Sequence, residues 1–237
     1  MTSTNCSESH DTSSKIGILR ETSLHAALKR WYAKPGDQFE VPIDGYIVDI
    51  LRRDLLIEIQ TSDFSSIKPK LYRLLQNHSI RLVHPIPQQK WIIHLNPDGT
   101  TPSNRRKSPK HGSVLDLFTE LVRFPDLVTD KNFFLEVLLI QQDDIWRDDG
   151  MGSWRRKKWS IYDRRLVEVI DRVCLDSPND FKKLLPPNLI QPFTTQELAL
   201  GLSIPRYLAQ KMAYCLHLMG VLERVGKKGR AHLYHEK

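Results

Sequence analysis

Residues 45–61, GYIVDILRRDLLIEIQT, constrain the fold of this chain more than any other stretch. Two short apolar runs, 45–50 and 55–61, lie four residues apart, which predicts a β-hairpin. Closed symmetrically about Arg53-Asp54, the hairpin pairs residues whose numbers sum to 107, and Asp49 falls opposite Glu58. Side chains alternate along a strand. Tyr46, Val48, Ile50, Leu55, Ile57 and Ile59 then form an apolar face, and Asp49, Glu58 and Gln60 lie on the other. Carboxylates opposed across two strands repel each other and need compensation. A divalent cation supplies it, since Mg²⁺ takes one or two carboxylates plus waters and phosphate oxygens. Such a metal acidifies a bound water and neutralises charge on a phosphodiester transition state. Lys68 and Lys70, at the start of a helix predicted over 67–77, are in reach to orient the water or stabilise charge. A solvated sheet face without chemistry stays open on the pattern alone.

Composition narrows the setting. Of 237 residues 40% are hydrophobic and 27% charged, which argues against bulk disorder, collagen-like repeats and coiled coil. No apolar run is long enough to span a bilayer, so no membrane partner is expected. Residues 1–15 are polar, lack a secretory apolar core and read as a disordered tail. Cys6, Cys174 and Cys215 are far apart without zinc-site spacing, which fits reduced thiols and a cytoplasmic location. The net charge of +7 permits a nucleic-acid partner. There is no phosphate-binding glycine loop, GxSxG elbow or HExxH pair, so ATPase, serine-hydrolase and zinc-protease readings lose support.

Periodicity predicts a helix over 21–33 with Leu24, Leu28 and Trp31 inward, closed by Pro35-Gly36. Leu71, Leu74 and Leu75 face inward on the helix capped by Ser65-Ser66. Two strands follow, 80–85 and 90–95, broken by Pro85 and Pro87. These elements give a core over 16–96, followed by a basic linker over 97–113 and a middle α/β segment over 114–190. In that segment 114–123 reads as a helix, 133–140 as buried strand or helix, and 162–174 as a helix with Leu166, Val169, Ile170 and Val173 on one face. Asp143-Asp144 and Asp148-Asp149 read as solvated turns, with metal binding the lesser alternative. Trp154 and Trp159 enclose Arg155–Lys158, which suits phosphate contact with base stacking or simple packing.

Residues 191–237 are the clearest module. Thr194-x-x-Glu197 is a capping box, Pro205 opens a second helix, Gly220 closes it, and a basic hairpin follows around 226–230. This pattern resembles a winged helix-turn-helix. Its second helix carries Arg206, Tyr207, Gln210, Lys211 and Tyr214 toward a groove, and Lys227, Lys228 and Arg230 at the wing tip meet phosphates. A packing or dimerisation module is the alternative. Cys215 and His217 read as core and helix-surface residues.

The layout of residues 20–95 resembles the PD-(D/E)XK, or restriction-endonuclease-like, nuclease superfamily: a helix with a glutamate, a strand with Asp, a strand with Glu-x-Lys, then a helix. The resemblance implies an α/β (α+β) fold, with a mixed sheet flanked by helices plus the winged helix. It implies Asp49 and Glu58 as ligands of Mg²⁺ or Mn²⁺, with Glu21 as an auxiliary ligand. Gln60 stands where lysine is usual. Some members keep glutamine there and others move the lysine to the next helix, where Lys70 or Lys68 sits. The implied activity is metal-dependent hydrolysis of DNA, with Gln60 and Lys70 near the attacking water. The alternatives are a non-catalytic DNA-binding protein built on a degenerate nuclease-like domain, and a protein-interaction adaptor. A homodimer is left open.

Overall fold

The computed structural model describes residues 22–95, 105–152, 154 and 159–237. The 1–15 tail, Glu21 and the basic run 155–158 lie outside the described residues.

Helix α1 (Ser23–Tyr32) starts where the Thr22 side chain accepts the His25 N–H and ends before Pro35. Leu24 and Leu28 are buried as expected, but Tyr32 replaces Trp31 as the third inward residue and Trp31 is half exposed. Strands β1 (Gln38–Ile43), β2 (Tyr46–Arg52) and β3 (Leu55–Ile59) form an antiparallel meander. The β2–β3 register pairs Ile50 with Ile57 and Leu51 with Leu56, as the symmetric hairpin requires. Helix α2 (Lys68–Leu74) buries Leu71, Leu74 and the following Leu75. It has no side-chain cap; Pro69 sits in its first turn, where a missing N–H costs nothing.

Strand β4 (Ser79–His94) runs parallel to β3 and, on its other side, to β6 (Phe133–Asp148). The two expected short strands are one, because the prolines are absorbed at a register shift between Pro87 and Gln89. Strand β5 (Arg105–Lys107) pairs with β4, and β7 (Trp159–Leu175) closes the far edge antiparallel to β6. The result is one seven-stranded mixed sheet in the order β1-β2-β3-β4-β6-β7, flanked by helices. The sheet therefore runs on past 97–113, which is not where the fold divides.

The helix expected over 162–174 is strand β7. Its register against β6 shifts three times, leaving Tyr162, Val167 and Ile170 without partners and half exposed. Each extra residue breaks the two-residue period, so the apolar spacing mimics a helix. The helix expected over 114–123 is a 3₁₀ turn (Val114–Leu117) running into the short α3 (Phe118–Leu121). A second 3₁₀ turn covers Pro125–Thr129.

The sheet is buried on both faces. Ile50, Ile57 and Ile59 pack with Leu24 and Leu28 of α1. Val48 and Leu56 belong to the other, larger cluster with Phe64, Leu71 and Phe118. The fully apolar single face expected of the hairpin is thus corrected: alternation breaks at Asp49, so Val48 and Ile50 serve opposite layers.

The larger cluster continues into the carboxy-terminal elements α4 (Pro178–Lys182), α5 (Thr195–Leu202), α6 (Arg206–Leu218), β8 (Leu222–Lys228) and β9 (Ala231–Glu236). Phe193, Leu198, Leu208, Met212, Cys215 and Leu216 are all in it. The module is a helix-turn-helix followed by a two-stranded hairpin, with Phe193 bridging to Tyr234. Both halves of the Thr194/Glu197 capping box form, with the Thr194 N–H donating to Glu197 at 2.7 Å. Thr194→Ala is expected to lower stability by about 1 kcal/mol in urea unfolding, because it leaves an α5 N–H without its acceptor. No helix among the described residues is long and apolar enough to cross a membrane.

Candidate functional site

Asp49 sits where the sheet becomes irregular on both sides. The β2–β3 ladder ends at Ile50 opposite Ile57, and the β1–β2 ladder skips the pair of Glu40 with Asp49. Glu40 has φ +52°, a left-handed conformation rarely taken by a side chain other than glycine or asparagine. Freed from regular pairing, the Asp49 carboxylate accepts the backbone N–H of Ile59 at 2.9 Å. The Asp49 N–H in turn lies 3.4 Å from Glu58 Oε1. The two carboxylates are therefore neighbours across β2 and β3, and Glu58 is 4% exposed.

Three basic side chains converge on them from two helices. From α1, His25 Nε2 lies 3.1 Å from Asp49 Oδ2, and Lys29 Nζ lies 3.9 Å from Asp49 Oδ1 and 3.0 Å from Glu40. From α2, Lys70 forms an ion pair with Glu58 and donates to the Ile47 carbonyl at 2.6 Å. The electrostatic result is asymmetric. For Asp49, burial works upward, but His25, the Ile59 N–H and Lys29 together hold the carboxyl below the usual range. For Glu58, burial dominates; Lys70 opposes it and the Asp49 charge adds to it, leaving the pKa pushed up to about 7. Two adjacent carboxyls with pKa values driven apart are a recurrent arrangement in acid, base and metal chemistry.

The other expected site residues divide. Lys70 is at the carboxylates, whereas Lys68 donates to the Arg123 carbonyl at 2.7 Å. The Gln60 amide is turned into the following loop, where it donates to Ser62 Oγ, the Asp63 carbonyl and Ser66 Oγ. Its backbone carbonyl receives His84 Nδ1 at 2.7 Å; the buried His84 stacks edge-on against Phe64, and burial depresses its pKa to about 4. Arg206, Tyr207, Gln210 and Tyr214 are exposed on α6, and Lys227 and Arg230 are exposed at the hairpin tip. Lys211 is instead half-buried and donates to the Thr119 carbonyl, while Lys228 pairs with Glu197 at 3.2 Å. The Asp143-Asp144 pair is not a solvated turn: both lie in β6, Asp143 bound to Arg105 at 2.9 Å and the buried Asp144 to Gln142 at 2.6 Å.

Among the described residues no group of three or more His, Cys, Asp or Glu is placed to hold a metal ion. The donor set that is present, two adjacent carboxylates, matches the protein share that Mg²⁺ ordinarily takes, with water and phosphate completing the sphere. Asp49 and Glu58 are the residues that fit a hard divalent cation. Sequence reasoning missed His25 and Lys29. The signal was there: His25, Lys29 and Tyr32 are spaced i, i+4, i+7, a polar stripe beside the apolar one of Leu24 and Leu28.

Residues 22–176 match the family described as a domain of unknown function (DUF8091). An uncharacterized protein of Treponema pallidum (strain Nichols) is 32% identical over 230 residues, covering 94% of this chain and 88% of the relative. No solved structure matches. The matched span ends just after β7, where the seven-stranded sheet is complete, and the relative's similarity extends through the carboxy-terminal helices as well. The chain belongs to the DUF8091 family.

Proposed function

We propose that this protein is a divalent-metal-dependent nuclease acting on DNA. The observation that carries the reading is the juxtaposition of Asp49 with the buried, lysine-paired Glu58 at the end of an antiparallel strand pair. The chain order around it supports the reading: helix, three antiparallel strands, helix, then a strand parallel to the third, as the restriction-endonuclease-like resemblance leads one to expect. Lys70, one helix later, stands in for the lysine that Gln60 replaces. The helix-turn-helix and its basic hairpin, read as a winged helix, would bind the duplex through Arg206, Gln210, Lys227 and Arg230.

A bound Mg²⁺ or Mn²⁺ would acidify a water and neutralise charge on the phosphate. The chain's own residues do the rest. Asp49, ionised throughout the physiological range, and Glu58, ionised as its proton leaves near pH 7, would hold the cation. Lys70, beside Glu58, would offer its ammonium to the phosphate oxygens. His25 and Lys29 fix the Asp49 carboxylate, one on each oxygen.

The test is incubation of labelled duplex and single-stranded DNA with Mg²⁺, with Mn²⁺ and with EDTA. Cutting that needs metal and is lost in Asp49→Ala and Glu58→Ala is the expected result; unchanged cutting in both variants would overturn the assignment. One observation favours a second reading, a DNA-binding protein without catalysis. His25, Lys29 and Lys70 already compensate both carboxylates without a cation. Metal-independent binding, insensitive to Asp49→Asn and without cutting, would select it.

A further inference from the structure

A cleft of about 760 Å³ opens at the loop that follows β3, and its lining sorts into two kinds of recognition. The loop directly after Gln60, Thr61-Ser62-Asp63, forms one part of its wall, and Leu24, next to His25, another. Strands β4, β6 and β7 contribute Lys90, Gln142 and Arg164, and α6 contributes Tyr207.

The cations are organised from below. Asp144 is buried, accepts the Gln142 amide at 2.6 Å, and lies 3.7 Å from Lys90 Nζ and 3.8 Å from Arg164 Nε. One carboxylate thus faces two cations, at distances beyond the roughly 2.7–2.9 Å of a close charge-assisted hydrogen bond. Lys90 and Arg164 are thereby aligned, and with Asp144 they form a trio carrying one net positive charge; Lys110 is the third cation of the lining. Three acidic residues of the lining match its cations in number, and each accepts a backbone N–H. Asp116 accepts the Ser113 N–H at 2.8 Å, Glu120 the Phe64 N–H at 3.1 Å, and Asp63 the Ser65 N–H at 2.6 Å. Tyr207 is 58% exposed, an aromatic surface held at the mouth by a helix whose opposite face is core.

We infer that this cleft binds an unpaired nucleotide, with Lys90 and Arg164 on a phosphate, Tyr207 stacked on the base and Asp144 as the positioning residue for the two cations. Its volume is that of a small-ligand pocket, whereas a duplex whose major groove alone is about 12 Å wide cannot enter it. Resting on the nuclease reading, this names the substrate class: DNA with a single-stranded end or flap, its unpaired segment held at the loop that follows Glu58 and Gln60.

Binding tests the inference without cleavage. Fluorescence anisotropy of the full chain in EDTA would compare a single-stranded oligonucleotide, a blunt duplex and a duplex with an overhang. The overhang duplex should bind more tightly than the blunt one. Tyr207→Ala, an exposed position, should erase that difference, a loss of about tenfold for a stacked base. Lys90→Gln with Arg164→Gln should weaken single-strand binding about tenfold or more and flatten its salt dependence. Equal affinity for blunt and overhang duplexes, or a preference untouched by Tyr207→Ala, would overturn the proposal even if the double variant fails to fold. The two readings fail separately. An overhang preference without metal-dependent cutting sinks the nuclease and leaves the cleft. Cutting without that preference does the reverse.

Discussion

On the proposed nuclease reading, Glu58→Gln is expected to abolish metal-dependent DNA cleavage, by about 10³-fold or more, and to remove a pH dependence of stability that follows from the buried carboxyl without metal. The first effect follows from charge. A cation held by two carboxylates contributes several kcal/mol to the transition state, and each 1.4 kcal/mol is about tenfold in rate. Gln keeps the shape of Glu58 but supplies no charge, leaving Asp49 alone. The second effect follows from linkage. The folded pKa of about 7 lies above the ordinary 4.5, so the folded protein holds the Glu58 proton more tightly than the unfolded chain does. This stabilisation is fully present below pH 4.5 and is lost as pH rises through about 7. Urea unfolding in EDTA at pH 5 and pH 8 should therefore show the variant gaining about 2 kcal/mol on the wild type across that interval. On the same reading, cleavage by the wild type should rise through pH 7 as the carboxylate becomes able to hold a cation. Parallel stability profiles for variant and wild type would show that Glu58 is not the buried, proton-retaining group described here.

Glu136→Ala lowers stability by about 3–5 kcal/mol, the range for removing one member of a buried ionic cluster. Glu136 lies in β6 with no exposed surface. It accepts the Tyr32 hydroxyl at 2.6 Å, Arg81 at 3.3 Å, and Arg172 through Nε at 2.8 Å and Nη2 at 2.7 Å. These partners come from α1, β4 and β7, so one carboxylate ties the helix to two strands. Burial first, and then Glu136, push the Tyr32 pKa up to about 12, which keeps the phenol a neutral donor. Without the carboxylate, Arg81 loses one of its two carboxylate partners, keeping Asp176 at 3.2 Å, and Tyr32 loses its acceptor. Tyr32→Phe removes a single hydrogen bond and should cost about 1 kcal/mol. Chemical denaturation ranks the two; a Glu136→Ala loss no larger than that of Tyr32→Phe would refute the clamp. Because α1 also carries His25 and Lys29, loosening it should weaken the hold on Asp49.

Some of this was legible in advance. Helices α1 and α2, the 50-to-57 register and the Thr194 capping box follow from neighbours a few residues apart, through side-chain period, a short connection and a local hydrogen bond. The adjacency of Asp49 and Glu58 came with the register. What failed had a non-local cause. Strand β7 looked helical because its unpaired residues shift the apolar period, and only the fourteen-position ladder with β6 makes it a strand. The prolines of β4 looked like a break because their tolerance depends on a register shift against a partner strand about 50 residues away.

By itself the sequence determined the local elements and the two opposed carboxylates, because these depend on residues close in the chain. The tertiary structure alone decided what surrounds those carboxylates. It brought His25 and Lys29 from one helix and Lys70 from another, turned the Gln60 amide into its loop, and set Lys90, Arg164 and Tyr207 around one cleft. The reason is physical: the pKa of a buried carboxyl and the charge of a cleft are sums over groups distant in sequence, fixed only when the sheet's two faces are packed.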